Sequence, residues 1–476
     1  MDIVFVASEM APFSKTGGLA DVAGALPKAL AARGHRVVAV SPRYAVVPDA
    51  VDTGLVATVR LFGVVHTARL FVLDRDGVRW VLVDNPCYHR EGIYGDANGA
   101  YDDNLFRYAL LTRVALDVAT VLPGPDGKRL DKPVFHANDW HTGLLPAYLQ
   151  RVYQPRGELR GARVVLGLHN LGHQGATRAR QFGGLGLPAS AWPSLEMHGH
   201  LNPLKAGIVD ADALVAVSPT YSRQIRQDQG FGLEKLLRAR GDRLLGIVNG
   251  IGDEWDPATD EHLPATFSVD DLAGKTTCRA HLQRELGLPV RDVPVFGMVS
   301  RLDHQKGVDL VEAITPWLLS HDVQLVMLGS GSSRYEQFFR AAERRWPFQA
   351  RGWVGFSEPL AHRIEAASDV FLMPSRFEPC GLNQLYSMRY GAVPVVHATG
   401  GLADTVRTAR PGREDATGWA FRPHTVEAFR QAVGWALLTR TRFPEAFARL
   451  RENGMREDWS WNRSAARYEA VYEAIQ

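Results

Sequence analysis

Several short stretches carry side chains that could do chemistry together. Pro374-Ser375-Arg376-Phe377-Glu378-Pro379-Cys380-Gly381-Leu382 places one carboxylate, Glu378, on a turn. The apolar run 369–373 before it reads as a buried parallel strand, and 382–390 after it has helical spacing that stops at Gly391. A carboxylate between the C-terminal end of a strand and the start of a helix stands where open α/β sheets bind ligands. Gly381 at that start would let a phosphate reach backbone N–H groups and the positive end of the helix dipole. Upstream, Ser300-Arg301-Leu302-Asp303-His304-Gln305-Lys306-Gly307 follows another strand. Its two cations, Arg301 and Lys306, bracket a helix start and form an anion site of the kind a pyrophosphate needs.

The first half of the chain offers three further loops of this type. Ser14-Lys15-Thr16-Gly17-Gly18-Leu19-Ala20-Asp21 is a Gly-rich turn after the strand 3–7. His136-Ala137-Asn138-Asp139-Trp140-His141 and His169-Asn170-Leu171-Gly172-His173 each follow an apolar run. Polar clusters at three neighbouring strand ends converge on one crevice. No His-x-x-x-His spacing on one helix accompanies these clusters, His169 and His173 lying in a Gly-containing loop, so no metal is expected. Thr16-Gly17-Gly18-Leu19-Ala20-Asp21 recurs letter for letter as Thr399-Gly400-Gly401-Leu402-Ala403-Asp404, which predicts two Gly-rich loops facing one cleft.

The elements that must hold these loops read as two α/β series. Strand 3–7, the helix through Val22 and Leu30 to Gly34, and strand 37–40 form a β-loop-α-β start, although the Gly spacing is not the dinucleotide fingerprint. Runs 70–73 and 78–83 flank Asp74-Arg75-Asp76-Gly77 and predict a hairpin inserted on a parallel sheet. Helices are expected over 102–120 and from Gly143, and a strand over 213–217. A second series follows, with strands near 293–299, 323–328 and 351–354, placing a boundary near 245–252. An amphipathic stretch from Trp461 to Ile475 ends the chain.

Composition narrows the class. The 476 residues carry a net charge of +2 and are 46% hydrophobic and 22% charged, so nothing points to nucleic acid or an anionic membrane. Three separated cysteines fit a reducing compartment without disulfides. No run reaches the length of a membrane span and no signal peptide is read at the start, so a cytoplasmic location is expected. Lysine is scarce against arginine, and Lys15, Lys205 and Lys306 all fall in Gly-containing motifs, a pattern that suits a compact ammonium at a site.

The motifs at 15–21, 169–171, 300–307 and 374–382 together resemble the bacterial glycogen synthase and plant starch synthase family, and the resemblance runs from residue 1 to the Trp461 region. It implies an α/β fold of the GT-B type, with two Rossmann-like domains whose mostly parallel sheets face each other across a deep cleft. The implied division is 1–245, with helix 459–476 packing back on it, and 246–458. It implies transfer of glucose from ADP-glucose to the non-reducing end of an α-1,4-glucan with retention, and no metal or cofactor. By similarity Lys15, Gly17, Gly18 and Asp21 lie in the donor cleft, and Arg301 and Lys306 grip the diphosphate. Glu378, Cys380, Gly381 and Leu382 meet the sugar and phosphates, His169 lies near the glucose, and Asp139 and Asn249 line the cleft.

Four positions depart from the family pattern, one being Gly252, which replaces a common Asp after Asn249-Gly250-Ile251 in a loop one residue short. Asn383 stands where bacterial relatives often have Thr, so an amide would donate to phosphate in place of a hydroxyl. Phe356 takes the place of a Tyr against the adenine, keeping the stacking face. Tyr386 occupies the position at which many related retaining transferases carry a second Glu for the ribose. The residues leave open a retaining transferase that uses UDP-glucose and another acceptor, and a catalytically inactive glucan-binding protein.

Overall fold

The apolar runs become strands buried on both faces, which is the signature of a parallel sheet covered by helices. The computed structural model describes residues 1–476 and divides into two compact units, Met1–Gly250 with Trp461–Gln476, and Ile251–Ser460. The first unit holds a nine-stranded sheet. Its strands are β1 (Asp2–Val6), β2 (Arg36–Pro42), β3 (Val51–Leu61), β4 (Val64–Arg75), β5 (Val78–Asp84), β6 (Val134–Asn138), β7 (Arg163–Leu168), β8 (Ala213–Ala216) and β9 (Leu244–Gly246). They lie in the order β9-β8-β7-β6-β1-β2-β5-β4-β3. All pairs are parallel except β3/β4 and β4/β5, so the hairpin is an antiparallel edge on a parallel sheet. Its turn has positive φ at both Asp76 and Gly77, the pattern that matches strand twist. Strand β3 begins at Val51, ahead of the expected start of the insert.

The second unit holds six parallel strands. These are β10 (Val295–Val299), β11 (Gln324–Gly329), β12 (Ala350–Val354), β13 (Val370–Met373), β14 (Val393–His397) and β15 (Trp419–Phe421), in the order β12-β11-β10-β13-β14-β15. Each sheet has one point where the chain direction of winding reverses. In the first unit it lies between β1 and β6, and in the second between β10 and β13. The loops leaving those strands at their C-terminal ends carry most of the chemical motifs, where such sheets bind ligands.

The helix expected from Gly143 is not continuous. It breaks into the turns Trp140–Thr142, Leu145–Tyr148, Leu149–Tyr153 and Gln154–Arg156, the third wound wider than an α-helix. Pro155 lacks the N–H needed to continue it. The C-terminal helix Trp461–Ile475 packs against the helix Gly18–Ala32, and its Trp461, Ala465, Tyr468 and Tyr472 join the first unit's apolar core. The Tyr472 hydroxyl lies 2.6 Å from Nδ1 of His136, itself buried on β6. Tyr472→Phe would strand that nitrogen in the core. We expect a loss of roughly 1–3 kcal/mol, read as a lower unfolding midpoint in urea; an unchanged midpoint would show that the contact is not formed in solution.

Candidate active site

In the second unit the site starts from one ion pair. Lys306 Nζ lies 2.6 Å from Glu378 Oε2, and the Ser375 hydroxyl donates to the same oxygen at 3.0 Å. The carboxylate is buried. Its two partners come from loops after β10 and β13, which are adjacent in the sheet. The Pro374–Phe377 backbone is fastened on several sides. Nε2 of His424 is 2.8 Å from the Pro374 carbonyl and Nδ1 of His397 is 2.8 Å from that of Ser375. The Gln305 amide donates to the Phe377 carbonyl at 3.2 Å, and Arg376 forms a two-pronged pair with Asp309 at 2.8 and 2.6 Å.

The second copy of the repeated hexapeptide forms the floor of this loop. Gly400 has φ +43, and a Cβ there would stand 1.8 Å from the Glu378 carbonyl oxygen. A Cβ on Gly401 would stand 2.0 Å from that of Cys380. The Gly401 N–H donates to the Glu378 and Pro379 carbonyls, both at 3.1 Å. The first copy behaves differently: Gly17 is extended at φ −156 and caps the helix that begins at Gly18. Both copies thus begin a helix, Gly18–Ala32 and Gly400–Thr405, but only the second also supports the backbone of the neighbouring Glu378 loop.

Arg301 is exposed and pairs with Asp303 at 2.9 Å. It lines a cavity of about 530 Å³ between the loops after β10 and β11, together with His304, Gly331 and Arg334. Phe356, on the loop after β12, is 85% exposed and offers a bare ring face. Gly381 has φ +72 at the entry to the helix Asn383–Arg389, and Cys380 is buried beside it while Leu382 is half-buried. Asn383 donates its amide to the Val299 carbonyl at 3.1 Å, which ties the helix start to the end of β10. Tyr386 is stacked on Trp255 at 3.7 Å and is buried.

In the first unit, Asp139 follows β6 with φ 53 and ψ −166, a region that costs a non-glycine residue about 1–3 kcal/mol. Its Oδ1 accepts the His169 N–H at 2.7 Å and the Asn170 N–H at 3.4 Å. Burial pushes its carboxyl up to about 7, against those two bonds. His169 is lowered to about 4 by burial, so it is neutral near pH 7. Asn138 donates its amide to the Val6 carbonyl at 3.0 Å, which leaves Oδ1 facing His169 Nε2 at 2.8 Å. Nε2 then carries the proton and Nδ1 is the acceptor. Gly167 makes room for this pair, since a Cβ there would stand 2.8 Å from Asn138 Oδ1.

Lys15 pairs with Asp21 at 2.7 Å across the Gly-rich turn. Asn249 is buried after β9, with Oδ1 lacking a hydrogen-bond partner. Sequence reasoning passed over Glu9. This buried carboxylate accepts the Thr16 N–H at 2.5 Å and the Thr16 hydroxyl at 2.7 Å, and so anchors the turn that carries Lys15. Burial raises its carboxyl above the usual range, partly offset by the Thr16 bonds. The available signal was a carboxylate directly after β1. Lys205, by contrast, is structural: its ammonium donates to the Pro193 carbonyl at 2.9 Å and to that of Glu196.

Comparison with known proteins matches this geometry to a family. The model described as "Starch synthase catalytic domain" covers residues 2–239, and "Glycosyl transferases group 1" covers 283–457. Glycogen synthase from Anaeromyxobacter sp. (strain Fw109-5) is 49% identical over all of this chain and 99% of its own. The chain belongs to the starch and glycogen synthase family. It is a glycosyltransferase of the glycogen/starch synthase class. Starch synthase 1 from Arabidopsis thaliana is 44% identical over all of this chain and 77% of its own length. The solved catalytic domain of starch synthase IV from Arabidopsis thaliana, bound to ADP and acarbose, superposes with a TM-score of 0.90 at 31% identity, covering 100% of this chain and 99% of that one. A sucrose-phosphate synthase from Thermosynechococcus elongatus shares the fold at a TM-score of 0.62 and 17% identity, with 100% and 98% covered. The fold is GT-B.

Two outcomes are expected. Asp139 holds its proton in the folded protein to about pH 7 but releases it near the ordinary carboxylate value when unfolded. Its contribution to stability is thus fully present below about pH 4 and is lost as pH rises through about 7. Asp139→Asn does not titrate, so its melting temperature should gain on the parent's between about pH 4 and pH 7 and hold that gain above; a flat difference would mean an ordinary carboxylate. Separately, Lys306→Met leaves the buried Glu378 without its cation and should cost roughly 3 kcal/mol. Adding Glu378→Gln to it should restore part of that stability in denaturant melts; a double variant weaker than Lys306→Met would refute the pairing.

Proposed function

We propose that this glycosyltransferase moves glucose from ADP-glucose to the non-reducing end of an α-1,4-glucan, with retention at the anomeric carbon. The observation that carries the reading is the buried Glu378–Lys306–Ser375 cluster beside a helix start at a strand C-terminal end. Supporting it are the 49% identity to a glycogen synthase and the 0.90 TM-score to a starch synthase bound to ADP and acarbose.

In this reading Arg301 and Lys306 hold the diphosphate, and the exposed Phe356 ring stacks on the base. Glu378, fixed by Lys306 and Ser375, accepts hydrogen bonds from sugar hydroxyls and orients the glucose. Cys380, Gly381, Leu382 and Asn383 line the sugar–phosphate path, and Lys15, Gly17, Gly18, Asp21 and Asn249 contribute from the first unit. The C1–O bond to the β-phosphate breaks as the acceptor O4 attacks C1 from the same face. The acceptor proton passes to the departing phosphate oxygen, giving ADP and a glucan one unit longer. Neutral His169 presents Nδ1 as an acceptor to a glucose hydroxyl. Asp139, about half ionised near pH 7, places negative charge near the developing oxocarbenium ion.

Labelled glucose should pass from ADP-glucose to glycogen at least about tenfold faster than from UDP-glucose, and chelator should leave the rate unchanged. Glu378→Gln should lower kcat by about 10²-fold or more, with no glucosyl-enzyme in quenched samples and no rescue by azide. A trapped glucosyl adduct on Glu378, or β-glucosyl azide as product, would replace the same-face route with double displacement. Equal or faster transfer from UDP-glucose would overturn the donor assignment.

A further inference from the structure

The first unit contains a second large groove that uses none of these residues. It has a volume of about 800 Å³ and runs along the edge strand β9, between the helices Pro219–Gln224 and Trp461–Ile475. That volume suits a small-molecule ligand. Its floor and one wall are apolar, from Leu245, Ile247, Val471, Ala474 and Ile475.

The charge on its walls is unbalanced. Arg163, Arg223, Arg243 and Arg467 line it against Asp212 and Asp242. Asp212 is occupied, since its Oδ2 accepts the Val164 N–H at 2.8 Å and its Oδ1 is 3.8 Å from Arg163. Arg163 also donates to the Ile475 carbonyl at 3.0 Å, and Arg223 donates to the Thr220 hydroxyl at 2.7 Å. Arg467 donates only to a carbonyl, that of Gly246, at 3.2 Å. Exposed Arg243 has no side-chain partner. With Arg163 beside Asp212, Arg243 and Arg467 face the groove with only Asp242 against them, an excess of positive charge that suits a phosphate monoester. Guanidinium forks suit phosphate oxygens, and the apolar wall suits the body of an ester better than free phosphate.

The walls are also the roots of both chain crossings. Strand β9 leads through residues 247–250 into the second unit, and the helix Trp461–Ile475 begins where that unit ends at Ser460. A ligand held between Arg243, next to β9, and Arg467, on the helix, would pin the two segments from which the crossings leave.

We propose that this groove is an effector site for a small phosphate monoester with an apolar or uncharged body. The test uses the full-length protein saturated with ADP, so that the donor site is filled, and titrates phenyl phosphate by calorimetry. One saturable site is expected, with inorganic phosphate binding at least about tenfold more weakly for want of the apolar contact. The exposed double variant Arg243→Ala/Arg467→Gln should weaken phenyl phosphate binding about tenfold or more while its affinity for ADP stays unchanged. Saturating phenyl phosphate should change the glucosyl transfer rate of the parent at least about twofold, and that of the double variant much less. The absence of saturable binding, or equal binding in the double variant, would overturn the site. Binding that leaves the parent's rate unchanged would overturn the effector role. Loss of ADP affinity in the variant would instead place the anion at the donor site and refute the assignment.

Discussion

A buried carboxylate facing a lysine is the constraint on which the second unit's architecture depends. Removing both groups from water is costly, and their attraction offsets that cost only if the geometry is held. The Lys306–Glu378 contact at 2.6 Å spans 72 residues of chain. It exists because β10 and β13 are neighbours in the sheet, and because the Glu378 loop is fastened at Pro374, Ser375 and Phe377 and supported at Glu378 and Cys380. Asp369, at the opposite end of β13, anchors the strand. Burial alone would raise its carboxyl, but Arg279, Arg440 and Arg451 hold it below the usual range. The strand is thus pinned by charge at both ends.

The first unit solves its side of the problem with little free charge. Its candidate site residues include a neutral imidazole and two carboxylates that burial keeps above their ordinary range. That environment can accept hydrogen bonds from a sugar without first paying to strip water from a full set of ions. The strained backbone at Asp139 belongs to the same arrangement. It is stabilised by backbone donors from the loop after β7, so it follows from parallel pairing of β6 with β7. Strain of this kind persists where the surroundings over-determine it, which is common at functional sites.

Short motifs proved unequal guides. The duplicated hexapeptide adopts two conformations because its second glycine pair lies under a carbonyl ridge and its first does not. Three lysines fall in Gly-containing motifs, yet Lys15 and Lys306 form ion pairs with Asp21 and Glu378, while Lys205 ties together the carbonyls of a loop. Tyr386 fills a position that carries a carboxylate in many related enzymes, and here it is spent on stacking against Trp255.

The sequence by itself determined the parallel strands, through apolar runs too uniform for a half-exposed sheet, and the loops at their ends, through glycines and charges that no buried strand could hold. It also determined the family, because four motifs in fixed order are far more specific than any one. It could not show that Glu9 holds the Thr16 turn, that Asn138 sets the tautomer of His169, that His397 and His424 hold the Glu378 loop, or that Asp139 retains its proton to about pH 7. Nor could it show that the helix expected from Gly143 would break into turns. Those properties arise from desolvation and from partners far away in sequence, and neither exists until the sheets have brought the strand ends side by side.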